Sequence, residues 1–138
     1  MKSIDKFIKT IAKLRAPNGC PWDKEQTHKT LKKFLIEETY EVIEAIDNND
    51  ATSLMEELGD VLLQIVLHSQ IAKENNQFSF KEVVNCINKK MIRRHPHVFS
   101  NAKVKDSKEV LVNWEKLKKK EKLRKNIKTH KKIKLYSR

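Results

Sequence analysis

Leu54-Met55-Glu56-Glu57-Leu58-Gly59-Asp60-Val61-Leu62-Leu63-Gln64-Ile65-Val66-Leu67-His68, residues 54–68, is the stretch on which the fold turns. Leu54, Leu58, Val61, Leu62, Leu63, Ile65, Val66 and Leu67, with Ile71 beyond, cover a helix with apolar side chains nearly all round, which predicts a central, buried helix. One polar stripe interrupts it, made of Glu57, Asp60, Gln64 and His68. Carboxylates presented at i, i+3 by a buried helix must be paired or coordinated. The longest apolar stretch, Val61–Leu67 with Gln64 inside it, falls far below the roughly 20 apolar residues a bilayer span needs, so no transmembrane segment is expected.

Upstream, Leu31, Phe34, Leu35, Val42 and Ile46 share one helical face at about 100° per residue, behind a cap at Thr27 or Thr30 and running to about Asp47. Glu38 falls in the middle of that face. Glu41 lies at its edge and Glu37 just beyond, whereas Glu44 belongs to the outer side. Asn48-Asn49-Asp50 is the turn into the 54–68 helix, so the two helices are antiparallel neighbours.

Further out, Ile4, Phe7, Ile8, Ile11 and Leu14 predict a first helix that ends near Arg15, where Ala16-Pro17-Asn18-Gly19-Cys20-Pro21 breaks the pattern. Ser53 with Glu56, Ser79 with Glu82, and Asp106 with Glu109 fit the cap-x-x-Glu pattern of helix starts. Pro96 ends the helix after Ser79, and a last helix runs from about Ser107 into a basic segment. About five helices, no strand-like alternation, and only 2 Gly and 3 Pro in 138 residues predict a single all-α domain. Cys20 and Cys86 match no disulfide or zinc spacing and read as free thiols. The start of the chain lacks a signal-like apolar region, which places the expected compartment in the cytoplasm.

The formal charge of +12 is concentrated at one end. Residues 115–138 hold twelve Lys or Arg and two acids, while residues 1–114 hold 18 bases and 16 acids. Such a like-charged segment, with no aromatic ladder beside it, reads first as a solvated face; nucleic-acid binding through it is the less favoured reading. The opposite anomaly lies inside the domain. Between Lys33 and Lys73 there is no Lys or Arg, yet nine acids occur. Their mutual repulsion calls for bases from elsewhere or bound cations. Glu38, Glu41, Glu57 and Asp60, on the facing sides of two successive helices, form a convergent set of hard oxygen donors. Without accompanying Cys they suit Mg²⁺, with Mn²⁺ as the alternative.

Glu37-Glu38-Thr39-Tyr40-Glu41 followed by Glu57-Leu58-Gly59-Asp60 resembles the EExxE…ExxD signature of the MazG-type nucleoside triphosphate pyrophosphohydrolases. The resemblance extends in order through Gly19–His28, Glu56–Gln64, Arg93–Phe99 and Trp114–Lys118. It implies an all-α dimeric fold over residues 1–122, with 123–138 as a basic tail. It also implies Mg²⁺ held by Glu38, Glu41, Glu57 and Asp60, and hydrolysis of an NTP to NMP and pyrophosphate. By position, Lys90 and Arg94 match the family's triphosphate-binding pair, Arg93 is a near alternative, and Trp114 matches an aromatic near the nucleotide. Members often carry two such domains in tandem, so this chain resembles a shortened relative.

Cleaving the α–β phosphoanhydride needs a metal against the phosphate charge, an activated water and cations for the leaving group. Glu37 or Glu38 is the expected group that orients or deprotonates the water. Lys90 and Arg94, at i, i+4, reach one polyphosphate chain. Trp22 reads as a packing residue, and His68, His95 and His97 receive no catalytic role. The rival class is a non-enzymatic helical interaction module whose basic tail binds nucleic acid or protein.

Overall fold

The computed structural model describes residues 2–136, with side chains over residues 2–126. In chain order the helices are α1 (Ser3–Leu14), α2 (Pro21–Glu25), α3 (His28–Asp47), α4 (Ala51–Glu74), α5 (Phe80–Arg94), α6 (Pro96–Phe99) and α7 (Ser107–Tyr136). The described residues contain no strand. The five long helices are those read from the sequence; the single turns α2 and α6 are additional, each opened by a proline at its first position. The chain divides into two compact units, one ending at Val84 and the other beginning at Asn85, inside α5.

In the first unit α3 and α4 form an antiparallel hairpin, with α1 laid against α4. The core is Ile11 of α1, Leu31 of α3, and Val66, Leu67 and Ile71 of α4, with Phe7, Ile8, Leu14, Phe34, Leu62, Leu63 and Phe80 packed around it. Local chemistry sets the ends of the hairpin. The Thr27 hydroxyl accepts from the Thr30 amide while the Thr30 hydroxyl accepts from the Thr27 amide, so both candidate cap residues act in one box. Asn49 takes up φ 53°, and the Asp50 amide donates back to the Ala45 carbonyl, closing α3 in a left-handed cap that asparagine tolerates. α4 is then capped by Asp50, whose carboxylate accepts from the Ser53 amide. Ser53, expected as the cap, is instead inside the helix. Asp50 reaches the free amides one turn earlier.

Two more expectations change. The buried seam of α3 is Leu31, Phe34, Glu38, Val42 and Ala45, whereas Leu35 and Ile46 stand 37% and 54% exposed. Because α3 rests mainly on one helix, only a narrow stripe is covered. Likewise the buried residues of α4, Gln64, Val66, Leu67, Ser69, Ile71 and Ala72, lie in its second half, where Ile65 still stands 38% exposed, and Met55 and Leu58 near its start are exposed.

Arg15 locks the entrance to α3. Its side chain, 6% exposed, donates to both carboxylate oxygens of Glu74 at 2.9 and 3.1 Å, to the Gln26 carbonyl at 3.0 Å and to the Asp23 carbonyl. Gly19 permits the preceding turn: a Cβ there would stand 2.1 Å from the Leu14 carbonyl oxygen, against which the backbone is folded. No described helix is long and apolar enough to cross a membrane. The backbone of α7 continues through much of the basic segment 123–138; the side chains from residue 127 onward lie outside the described residues.

Candidate metal centre

The α3–α4 hairpin converts two sequence motifs into one site. Glu38 and Glu41 are about one turn apart on α3, Glu57 and Asp60 about one turn apart on α4, and the antiparallel pairing brings the four together. One carboxylate oxygen from each lies within 4.8 Å of all the others. Glu38 and Glu57 each keep an Oε2 that is shielded from solvent and has no hydrogen-bond partner among the described residues. No Lys or Arg forms an ion pair with any of the four among those residues.

That crowding shows in the acidities. Glu38 is raised above the ordinary glutamate value by burial, and then by the charges of Glu41, Asp60 and Glu37. Glu57 is pushed up to about 7, first by a hydrogen bond shared with Glu41, then by burial and the neighbouring charges. Shielded anionic oxygens facing one another without a counter-ion are a donor set for a hard divalent cation, so the residues present fit Mg²⁺ or Mn²⁺. A cavity of about 340 Å³, lined by Glu41, Glu44, Ala45, Asn48, Ser53 and Glu57 among others, opens beside them. Glu37 is exposed, next to Glu38.

The remaining predicted residues lie in the second unit. Arg94 spans the indole of Trp114 at 5.1 Å, and the His95 ring meets the same indole edge-on at 5.2 Å. Arg93 and Arg94 both donate to Glu121 of α7, at 2.5 and 2.7 Å, which holds the Glu121 carboxyl at about 2. Lys90 is half-buried on α5. The Glu121 contact was not anticipated, since 27 residues separate it from Arg94.

Two further contacts had no readable signal. His28 and His68, 40 positions apart, stack with ring centroids 5.0 Å apart and share a hydrogen bond between Nδ1 atoms at 2.7 Å. Burial and the neighbouring His28 hold His68 below the usual histidine value. Trp22 meets Phe34 edge-on at 5.7 Å.

An all-α hairpin carrying an ExxE pair opposite an ExxD pair defines a class, and residues 26–99 match the model of the MazG nucleotide pyrophosphohydrolase domain; the chain belongs to that family. It is 55% identical over 113 residues to the uncharacterized protein YabN of Bacillus subtilis (strain 168), covering 82% of this chain and 23% of that one. To the nucleoside triphosphate pyrophosphohydrolase/pyrophosphatase MazG of Thermotoga maritima it is 48% identical over 115 residues, covering 83% of this chain and 44% of the relative. The chain therefore spans less than half the length of these curated relatives. The crystal structure of a MazG-related protein from Thermotoga maritima superposes with a TM-score of 0.66 at 28% identity, covering 83% of this chain and 98% of the other.

Proposed function

We propose that the protein is a Mg²⁺-dependent nucleoside triphosphate pyrophosphohydrolase that cleaves NTPs or dNTPs to the monophosphate and pyrophosphate, with Mn²⁺ as the alternative ion. The observation that carries this is the four-carboxylate cluster with two shielded, unpartnered oxygens, in a chain of the MazG family. Glu38, Glu41, Glu57 and Asp60 hold the cation, which offsets phosphate charge and polarises the reacting phosphoryl group. Glu37 or Glu38 orients the attacking water and takes its proton. Lys90 and Arg94 bind phosphate oxygens, with Arg93 as the near alternative; Trp114, already under the Arg94 guanidinium, contributes an aromatic face. Phosphate binding there has to displace Glu121 from the arginines. Residues 1–122 carry the activity and 123–138 form the basic appendage of a cytoplasmic protein.

The protein works as a homodimer. Ile36, Tyr40 and Ile43 of α3 and Met55 and Leu58 of α4 are between 46% and 68% exposed, and exposed apolar side chains gathered on one hairpin support a second copy as their cover.

The test is pyrophosphate release from a panel of canonical and modified NTPs and dNTPs, comparing wild type with Glu38→Gln and Glu57→Gln. Metal-dependent release that both substitutions abolish establishes the reading. Absence of turnover on every substrate refutes it.

A further inference from the structure

The second unit is set apart by its charge. Residues 85–138 hold nineteen Lys or Arg and four acids, whereas residues 1–84 hold eleven Lys or Arg and fourteen acids. The boundary between the units is therefore also a boundary in charge. Most of the excess lies on α7, whose helical backbone fixes the bases in a pattern that an irregular segment would not keep.

One side of α7 is occupied. Val110, Trp114, Leu117 and Glu121 follow one another at helical spacing and are half-buried. Trp114 lies under Arg94 and against His95, and Glu121 accepts from both Arg93 and Arg94. The free side carries Lys116, Lys118, Lys119, Lys120, Lys122 and Arg124, all exposed and none in an ion pair among the described residues. At about 100° per residue these six spread over about 240° of the helix. Lys118 and Lys122 stand on one flank, Lys116 and Lys120 on the other, and Lys119 between them. Glu115 is the acid that shares this side, while Glu121 is taken up by the arginines.

The pattern selects among polyanions. From Lys116 to Arg124 the helix rises about 12 Å, a length over which a DNA duplex carries about seven phosphate charges, so six cations meet that density almost one for one. Leu123, 61% exposed, is the large apolar side chain left open in this stretch, with Lys119 and Lys120 one turn before it. It makes no apolar stripe of the kind an interfacial helix buries in a bilayer. Residues 115–135 contain no Phe, Trp or Tyr on which unpaired bases could stack. Bases on both flanks of one helix reach two phosphate backbones together from inside a groove. The major groove of B-DNA, about 12 Å wide, admits an α-helix, and the deep, narrow major groove of A-form RNA does not.

We infer that the free side of α7 is a binding surface for duplex DNA, held at its phosphates without reading of base sequence. This goes beyond the pyrophosphohydrolase reading and does not depend on it, because the groups proposed for the substrate lie on the occupied side of α7 or on other helices.

The test is fluorescence anisotropy of a labelled DNA duplex of about 20 base pairs, titrated with the full chain in EDTA at several NaCl concentrations. For about five phosphate contacts the expected Kd, about 1 μM in 50 mM NaCl, rises about twentyfold in 100 mM NaCl, and duplexes of unrelated sequence bind equally. Lys118→Gln, Lys119→Gln and Lys122→Gln combined weaken binding about a hundredfold and lower the slope of log K against log salt by about 2.7, while Arg at the same three positions keeps both. If circular dichroism shows the Gln variant unfolded, Lys116→Gln with Lys120→Gln decides instead, with a slope lower by about 1.8. No binding by wild type up to about 100 μM, or an unchanged slope in the folded variants, overturns the proposal. Tighter binding to a single strand or an RNA duplex of the same length, or to phosphatidylserine vesicles, assigns the surface to that partner and overturns it as well.

Discussion

Replacing Glu38 by Gln keeps the size of a side chain in the acidic cluster and removes its charge. Each of the other three carboxylates offers an oxygen within 4.8 Å, a separation at which two unit charges repel by about 1 kcal/mol in water-like surroundings and about 3.5 kcal/mol at an effective dielectric constant of about 20. Glu41 is exposed and its field is screened by solvent, so the lower figure governs. Relief of up to three such repulsions stabilises the metal-free variant by about 1–3 kcal/mol at pH 8. For a chain of this size that is a rise in Tm of roughly 4–10 °C. Excess Mg²⁺ offsets most or all of the advantage. A ligand at a hundred times its Kd stabilises the wild type by about 2.7 kcal/mol, and the three-carboxylate variant gains far less. The assay is thermal unfolding of both proteins at pH 8 in EDTA and then in 10 mM Mg²⁺, about a hundredfold excess for a Kd of about 0.1 mM. A Glu38→Gln protein less stable than wild type in EDTA, or an equal Mg²⁺-induced shift in both, refutes the reasoning.

The raised pKa of Glu57 has its own signature. Between about 4.3, where a free glutamate titrates, and about 7, the folded chain holds a proton that the unfolded chain has released. Metal-free stability is therefore highest at the acid end of that window and declines as pH rises through it; urea unfolding at pH 5, 6 and 7 in EDTA gives a shallower decline for Glu57→Gln, and equal slopes would show that the group is not perturbed. Leu67→Ala, which hollows the core at a residue 2% exposed, lowers stability by about 2–5 kcal/mol, read as a fall in the urea midpoint at constant m. Arg15→Met removes the four contacts that hold α1, α2 and the end of α4 together. Because Glu74 is 38% exposed, its freed charge is solvated, and a loss of about 1.5–3 kcal/mol is expected in the same titration.

The positions of the five long helices, a cap at Thr27 or Thr30 and the four acids that the hairpin gathers are legible in residue spacing, because helix periodicity and capping act within a few residues of chain. Glu38 stands out because it interrupts an apolar face, and no tertiary knowledge is needed to see that. Other features depend on which helix covers which. Whether Leu35 and Ile46 are buried is settled by the width of the α3–α4 seam, and the amino acid pattern carries no measure of that width. The cap of α4 moved to Asp50 because the left-handed turn at Asn49 set where the helix began.

Contacts between residues far apart in the chain were beyond sequence reasoning altogether. Arg15 with Glu74, His28 with His68, Trp22 with Phe34 and the two arginines with Glu121 depend on chain segments meeting in space, and no local propensity encodes such meetings. Residue order alone determined that this chain is helical and that it carries two acidic pairs on facing helices. Only the folded hairpin decided that their oxygens lie within 4.8 Å of one another, with two of them shielded from water, because burial and mutual distance are properties of packed helices and not of the sequence that forms them.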